Sequence, residues 1–529
     1  RFSYEALNSE DRLTSPMIKV NGEWQETDWE TALEATVNGL RNVISQYGTS
    51  QVGALASATA TVEELYLFQK LMRDLEISNI DHRVRQNDFS SQADAPLFPW
   101  LGQSIKSFEE NDALLLVGSN VRLDQPIAAN RIRKAASLGA KIMCINSVDY
   151  DFHMPVSECC IVSPAAFYDE LAGVAKALQN LTKGNLNAAQ TDLIKSAKVE
   201  QRHQIIAANL HKAEDSAIVL GPQAINHENA TVLTALATIV ASLSESSFGF
   251  LSDFGNTSGA WLAGVLPHRN YGGRKVSEEG IHASDMFTNG LSAYLLMDLE
   301  PETDSSKPAE ASSALIRAEF VACFSIYKNR EAEQYANVML PITPFTETSG
   351  TYVNVEGRWQ SFSATVPPLG DAKPAWKIFR VIGNYFDLVG YEYTNSEQIR
   401  DELKNKLGDV IPANEMPLQA PIPIPAKRQG LVRVSEYHVY AGDTIQRRAK
   451  ALHKTKLAIN AACFMNSQLA KQYGLADGDN TVASQNGRQV VLPVNIDESI
   501  ADHCVLIPAG IEQTAAIDNS LTEIELARA

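Results

Sequence analysis

The chain has 529 residues, 45% of them hydrophobic and 20% charged, a balance that describes a globular protein able to bury substantial cores. That length exceeds a single core and predicts about three or four domains. A formal charge of −18 argues against nucleic acid or an anionic membrane as partner, since either demands a basic face, and no apolar run approaches the roughly 20 residues of a membrane span.

The chain opens on Arg1-Phe2-Ser3-Tyr4, with neither an initiator Met nor a charged-then-apolar leader, and reads as a fragment or trimmed product. A lead-in segment, 1–48, holds an extended piece at Met17 to Val20, a turn at Asn21-Gly22, and a helix after Thr27-Asp28 with Leu33, Val37 and Leu40 on one face. From Val52 the pattern becomes strand then helix. Val52 to Ala56 is an apolar run, and a helix with Leu65, Phe68, Leu71 and Met72 inward follows Thr61. Ala113 to Val117 predicts a second strand ending in Gly118-Ser119-Asn120, then a helix through Ala128 to Leu138 and a strand at Lys141 to Ile145. This βαβ order implies a parallel sheet covered by helices on both faces.

The alternation continues through a strand at Ala217 to Leu220, a helix at Ala230 to Ala241 and a strand at Glu319 to Phe324. A doubly wound α/β body follows. Residues 411–455 read as a strap, with Pro412, Pro417, Pro421, Pro423 and Pro425 followed by a basic run that includes Arg428, Arg433, Arg447 and Arg448. In 456–529, turn signals at Asp477-Gly478 and Asn486-Gly487 separate short strands and predict a small β-barrel.

Between Ala336 and Gln360 a strand is stopped by Pro341 and Pro344, and alternating residues from Thr351 to Glu356 predict a second strand between Gly350 and Gly357. This stretch is either a structural corner or a ligand loop, because Glu347, Asn354, Glu356 and Arg358 gather hydrogen-bonding groups beside a strand end. The loops Gly118-Ser119-Asn120 and Gly255 to Ala260, which contains Asn256, carry the same two readings. The histidines show no metal-ligand spacing, and no Gly-x-Ser-x-Gly elbow is present. Cys144, Cys159, Cys160, Cys323, Cys463 and Cys504 form no C-x-x-C pair and read as buried reduced thiols.

A resemblance adds to this reading. Ala336-Asn-Val-Met-Leu-Pro341, Glu347 with Gly350-Thr351, Asn354-x-Glu356-Gly357-Arg358-x-Gln360, the Gly118 loop and the Gly474 to Asp479 turn resemble the molybdopterin oxidoreductase superfamily. Arg1 to Asn8 with Arg12 to Met17, Asn79 to Gln86, and Asp443 to Arg448 resemble, within it, the G-subunit family of bacterial NADH:quinone oxidoreductase, respiratory complex I, the counterpart of the mitochondrial 75 kDa subunit. The resemblance implies a multi-lobed α/β fold of doubly wound parallel sheets with a C-terminal β-barrel. A first lobe is expected at 49–148 plus 341–410 and a second, inserted lobe at 149–340. In the molybdoenzymes a segment resembling Asn79 to Asn87 carries the Cys, selenocysteine or Ser that binds molybdenum; here that position is Asn87, and an amide is a poor ligand for such a metal.

The resemblance therefore implies a structural and docking part of an iron–sulfur subunit, supporting electron transfer from NADH to quinone with molybdopterin lost. Iron–sulfur clusters are expected in an N-terminal half outside this chain, and the partners are other peripheral-arm subunits. The implied location is cytoplasmic, on the inner face of the plasma membrane through the complex. No catalytic or metal-binding residue is expected. The remnant channel candidates are Asn87, Gly118, Ser119, Asn120, Asn256, Glu347, Asn354 and Arg358, with Glu347, Asn354 and Arg358 bonding within the protein and bracing the junction between lobes. The alternative is an active molybdopterin-dependent oxidoreductase of the formate dehydrogenase type. A third reading is a silent fold that still binds a nucleotide or small regulator in the remnant pocket.

Overall fold

A computed structural model describes residues 4–414, 421–428, 430–458 and 460–529; Arg1, Phe2, Ser3 and Pro417 lie outside them. The chain forms two compact units, each discontinuous in sequence. One comprises residues 1–85, 254–411 and 440–459, and the other 86–253, 412–439 and 460–529.

The first unit is built on a seven-stranded sheet. Val52–Ala56, Ala293–Met297 and Phe320–Ser325 form its centre, paired in parallel with Ala293 opposite both Val52 and Phe320. The first two are buried along their whole length, which is why their sequences are continuously apolar rather than alternating. Helix Val62–Asp74 starts at a capping box: Thr61 accepts from the Glu64 N–H while the Glu64 carboxylate takes the Thr61 N–H. The hairpin Met17–Val20 and Glu23–Glu26 adds antiparallel to the edge strand Val338–Pro341, with Met17 opposite Met339. The lead-in segment is thus part of the first unit's sheet.

The second unit carries a five-stranded parallel sheet in the order Glu158–Ile161, Lys141–Asn146, Ala113–Val117, Ser216–Leu220, Ser247–Phe250. Its second sheet is six-stranded and runs from Val432–Val434 through Cys504–Leu506, Cys463–Met465 and Arg488–Ile496 to Asn480–Gln485 and Glu525–Arg528. The two ends approach each other where Val432 bridges Glu523 and the Arg433 N–H donates to the Thr522 carbonyl, giving the barrel-like closure.

Three expectations are corrected. The strand Ala113–Val117 heads the second unit's sheet, whereas Ala293–Met297 through Val338–Pro341 pair with Val52–Ala56; the inserted segment is 86–253, not 149–340. Fully buried parallel strands are apolar on both faces and carry no mark of which strand they pair with. The strap is not one piece, since Val432–Val434 is a strand of the terminal sheet and 440–459 belongs to the first unit. Finally, Cys144 and Cys159 are joined by a disulfide. They face each other in register on neighbouring parallel strands, Cα to Cα 4.5 Å, a proximity that their separation of 15 residues does not reveal. Cys160, Cys323, Cys463 and Cys504 are buried free thiols, as expected.

Candidate functional site

The sequence-derived candidates divide between the units: Asn87, Gly118, Ser119 and Asn120 lie in the second, and Asn256, Glu347, Asn354 and Arg358 in the first.

In the second unit Gly118 follows the strand Ala113–Val117 with φ of 62°, a left-handed conformation that glycine adopts without strain. Its loop is tied to the neighbouring strand: the Ser119 N–H donates to Asn146 Oδ1 at 2.9 Å, and Asn146 Nδ2 returns to the Ser119 carbonyl at 3.2 Å. Asn120 Nδ2 reaches Glu436 Oε1 at 3.4 Å, and Tyr150 donates its hydroxyl to Glu436 Oε2 at 3.2 Å. Burial, with the charges of Glu436 and Asp253, pushes the Asp124 carboxyl up to about 8. Asn87 donates its amide to the Asn226 carbonyl at 2.8 Å. Ser119, Ser147 and Ser252 come one or two residues after three strands of this sheet, and their buried hydroxyls have no partner among the described residues. The sequence reading missed Ser147 and Ser252. Such a row at the carboxyl ends of parallel strands is where open α/β sheets receive nucleotide-like ligands.

In the first unit, Asn256 spends both amide atoms on backbone, donating to the Ala60 carbonyl and accepting from the Val353 N–H, each at 2.7 Å. Glu347 is buried and forms a two-pronged pair with Arg12, both bonds 2.9 Å, and also accepts from the Leu369 N–H. Asn354 acts locally. Its Oδ1 accepts the Glu356 and Arg358 N–H groups and so shapes the turn between strands Gly350–Val353 and Trp359–Phe362. Arg358 is exposed, and its guanidinium has no partner among the described residues. The expected bracing by all three is therefore corrected: Glu347 anchors 12–347 within one unit, Asn354 holds a hairpin turn, and Arg358 braces nothing. In so tight a turn the Asn354 side chain is drawn to the N–H groups of its own loop.

The same unit contains groups that the sequence reading did not single out. Beyond the strand Ala293–Met297 stand Asp298, Glu300, Glu302 and Asp304. Arg447 donates to Glu300 at 2.8 and 3.0 Å and to Asp304 at 2.8 and 3.2 Å, while Arg448 reaches Glu300 at 2.6 Å. Burial opposes ionisation of Glu300, yet the two arginines hold its carboxyl below the usual range. Nearby is a cavity of about 280 Å³ bordered by Asp298, Thr343, Tyr352, Asp443 and Thr444. Its available signal was Asp298, an acid directly after a buried strand, which the structure holds at φ of 51°. The charged residues bordering it, Glu64, Asp298 and Asp443, are all acidic. Among the described residues no three His, Cys, Asp or Glu side chains form a metal-holding group.

Residues 12–385 match the molybdopterin oxidoreductase family, and residues 431–528 match the molybdopterin dinucleotide binding domain. A Staphylococcus haemolyticus protein provisionally named formate dehydrogenase is 26% identical over 470 residues, which is 76% of this chain and 46% of that protein. A Bacillus subtilis protein of the same provisional name is 24% identical over 458 residues, with the same shares. The chain thus spans about half the length of these curated relatives. Acetylene hydratase from Pelobacter acetylenicus superimposes with a TM-score of 0.66 at 15% identity, covering 99% of this chain and 93% of that one, and shares the fold.

Proposed function

We propose, since this chain belongs to the molybdopterin oxidoreductase family, that it is a metal-free member: the structural and docking part of an iron–sulfur subunit of NADH:quinone oxidoreductase. The observation that carries the reading is Asn87. Its amide, already a poor ligand, is engaged with the Asn226 carbonyl. The residues near the first unit's cavity also do not fit the anionic cofactor of the family. Its bordering charges are acidic, and Arg447, which would otherwise attract a phosphate, donates four hydrogen bonds to Glu300 and Asp304. In this reading electrons pass from NADH to quinone through iron–sulfur clusters on residues outside this chain. The chain's own surfaces meet other peripheral-arm subunits at the inner face of the membrane.

A second reading, an active molybdopterin-dependent oxidoreductase resembling formate dehydrogenase, is favoured by the names of the relatives and by the unpartnered Ser119, Ser147 and Ser252 hydroxyls. Deleting the gene for the full-length protein in its native cell separates the two. The first reading expects membranes to lose NADH:quinone reductase activity and keep formate oxidation; loss of formate oxidation with NADH:quinone activity intact overturns it.

A further inference from the structure

The cavity of the first unit gathers acids and an apolar wall around one space. Asp298 accepts hydroxyl hydrogen bonds from Thr59 at 3.0 Å and Thr444 at 3.2 Å, and Asp443 accepts the Gln446 N–H at 2.7 Å. Among the described residues neither carboxyl meets a lysine, arginine or histidine in an ion pair, and no basic residue borders the cavity. Arg447, whose charge acts on Asp443, directs its donors to Glu300 and Asp304. Glu64, the third acid, is occupied by Thr61 and the Ala375 N–H. Burial pushes the Asp298 carboxyl up to about 8, with Asp443 adding to it, and burial raises Asp443 as well. These are two neighbouring acids without a counter-charge among the described residues, and Asp298 holds a proton near neutral pH that an entering cation displaces to solvent.

A second observation is independent of the acids. Thr343 borders the same cavity, is 5% exposed, and its hydroxyl has no hydrogen-bond partner among the described residues. A buried hydroxyl left unpaired is unfavourable, and a ligand N–H would relieve it. The remaining wall is apolar, with Ile326, Ile342, Pro344 and Phe345 beside the ring of Tyr352.

We infer that this cavity binds a small organic cation of the alkylguanidinium class, with Asp298 and Asp443 as its counter-charges and the Thr343 hydroxyl as a further acceptor. A planar guanidinium presents several donors to neighbouring carboxylates, and its alkyl chain suits the apolar wall. A metal ion is disfavoured, because calcium needs about six or more oxygens and no three His, Cys, Asp or Glu side chains among the described residues form a metal-holding group. A nucleotide or other anion finds no basic partner among the bordering residues. The inference goes beyond the metal-free reading, and the two fail separately, since that reading is tested by metal content and not by cation binding.

The test is calorimetric titration of the full chain with agmatine, beside its uncharged analogue butylurea and with GMP as an anionic probe. Saturable agmatine binding is expected, weakened at least about ten-fold by Asp298→Asn and by Asp443→Asn and several-fold by Thr343→Val, with butylurea and GMP not competing. Absence of saturable agmatine binding overturns the proposal. So does equal binding of butylurea to the unaltered protein, a comparison independent of how the variants fold, or displacement of agmatine by GMP or calcium chloride.

Discussion

Glu302 lies fully enclosed near Glu300, accepting from the Asn329 amide and from the Tyr335 hydroxyl, and burial with the Glu300 charge pushes its carboxyl up to about 8. The folded protein therefore keeps this proton over a range in which the unfolded chain, titrating near 4, has released it. Stability from this group is present at low pH and declines between about pH 4 and 8, by about 1.4 kcal/mol per unit at most. Glu302→Gln removes the dependence. The variant is expected to gain stability relative to the parent as pH rises through that window, with the difference levelling above about pH 8, measured by urea unfolding at several pH values; a pH-independent difference would refute the assignment. The Arg12–Glu347 pair shows the opposite use of a buried acid, since a two-pronged arginine satisfies the carboxylate that burial isolates. Glu347 was legible as a residue with a task because it followed a proline-stopped strand. Its partner, 335 residues away, was not, because nothing in local spacing encodes so distant a contact.

At the level of elements, the loop after Ala113–Val117 explains its glycines by packing. A Cβ on Gly118 would stand 2.6 Å from the Ala224 nitrogen, and one on Gly221 would stand 2.5 Å from the Ser119 Cβ. The two loops thus approach backbone to backbone. Gly118→Ala is expected to cost about 2–4 kcal/mol, combining left-handed strain with overpacking, whereas Gly487→Ala, left-handed but with nothing within 4 Å, should cost about 1 kcal/mol. Equal losses in urea unfolding would show that close approach plays no part. The strands were the most readable elements, since Val52–Ala56 and Ala113–Val117 are unbroken runs without a polar side chain and Phe320–Ser325 is apolar up to its last residue. Ala293–Met297 was passed over although it is the strand joining Val52–Ala56 to Phe320–Ser325. Its short run, AYLLM, lies between the polar Ser292 and the acids from Asp298 onward, and in isolation it cannot be told from a buried piece of helix. Missing that strand also hid the Asp298 cavity, because the acid gains its meaning only as the residue at the carboxyl end of a central strand.

At the scale of the whole molecule, the fold class followed from alternating strands and helices, but the division into units did not. Each unit draws on three separated segments, and only pairing across more than 200 residues, such as Leu296 with Leu55, defines them. The candidate site was legible in the same uneven way. Motif loops were found, while the unpaired serines after neighbouring strands and the acids around Thr343 became visible only when the sheets brought them together. The proposal made above is that this family member holds its fold without molybdenum chemistry. It is tested most directly by elemental analysis of the full-length purified protein for molybdenum and tungsten, together with fluorescence of any pterin released on oxidation. The account predicts neither metal nor pterin at a significant fraction of the protein; a stoichiometric metal with a released pterin would contradict it.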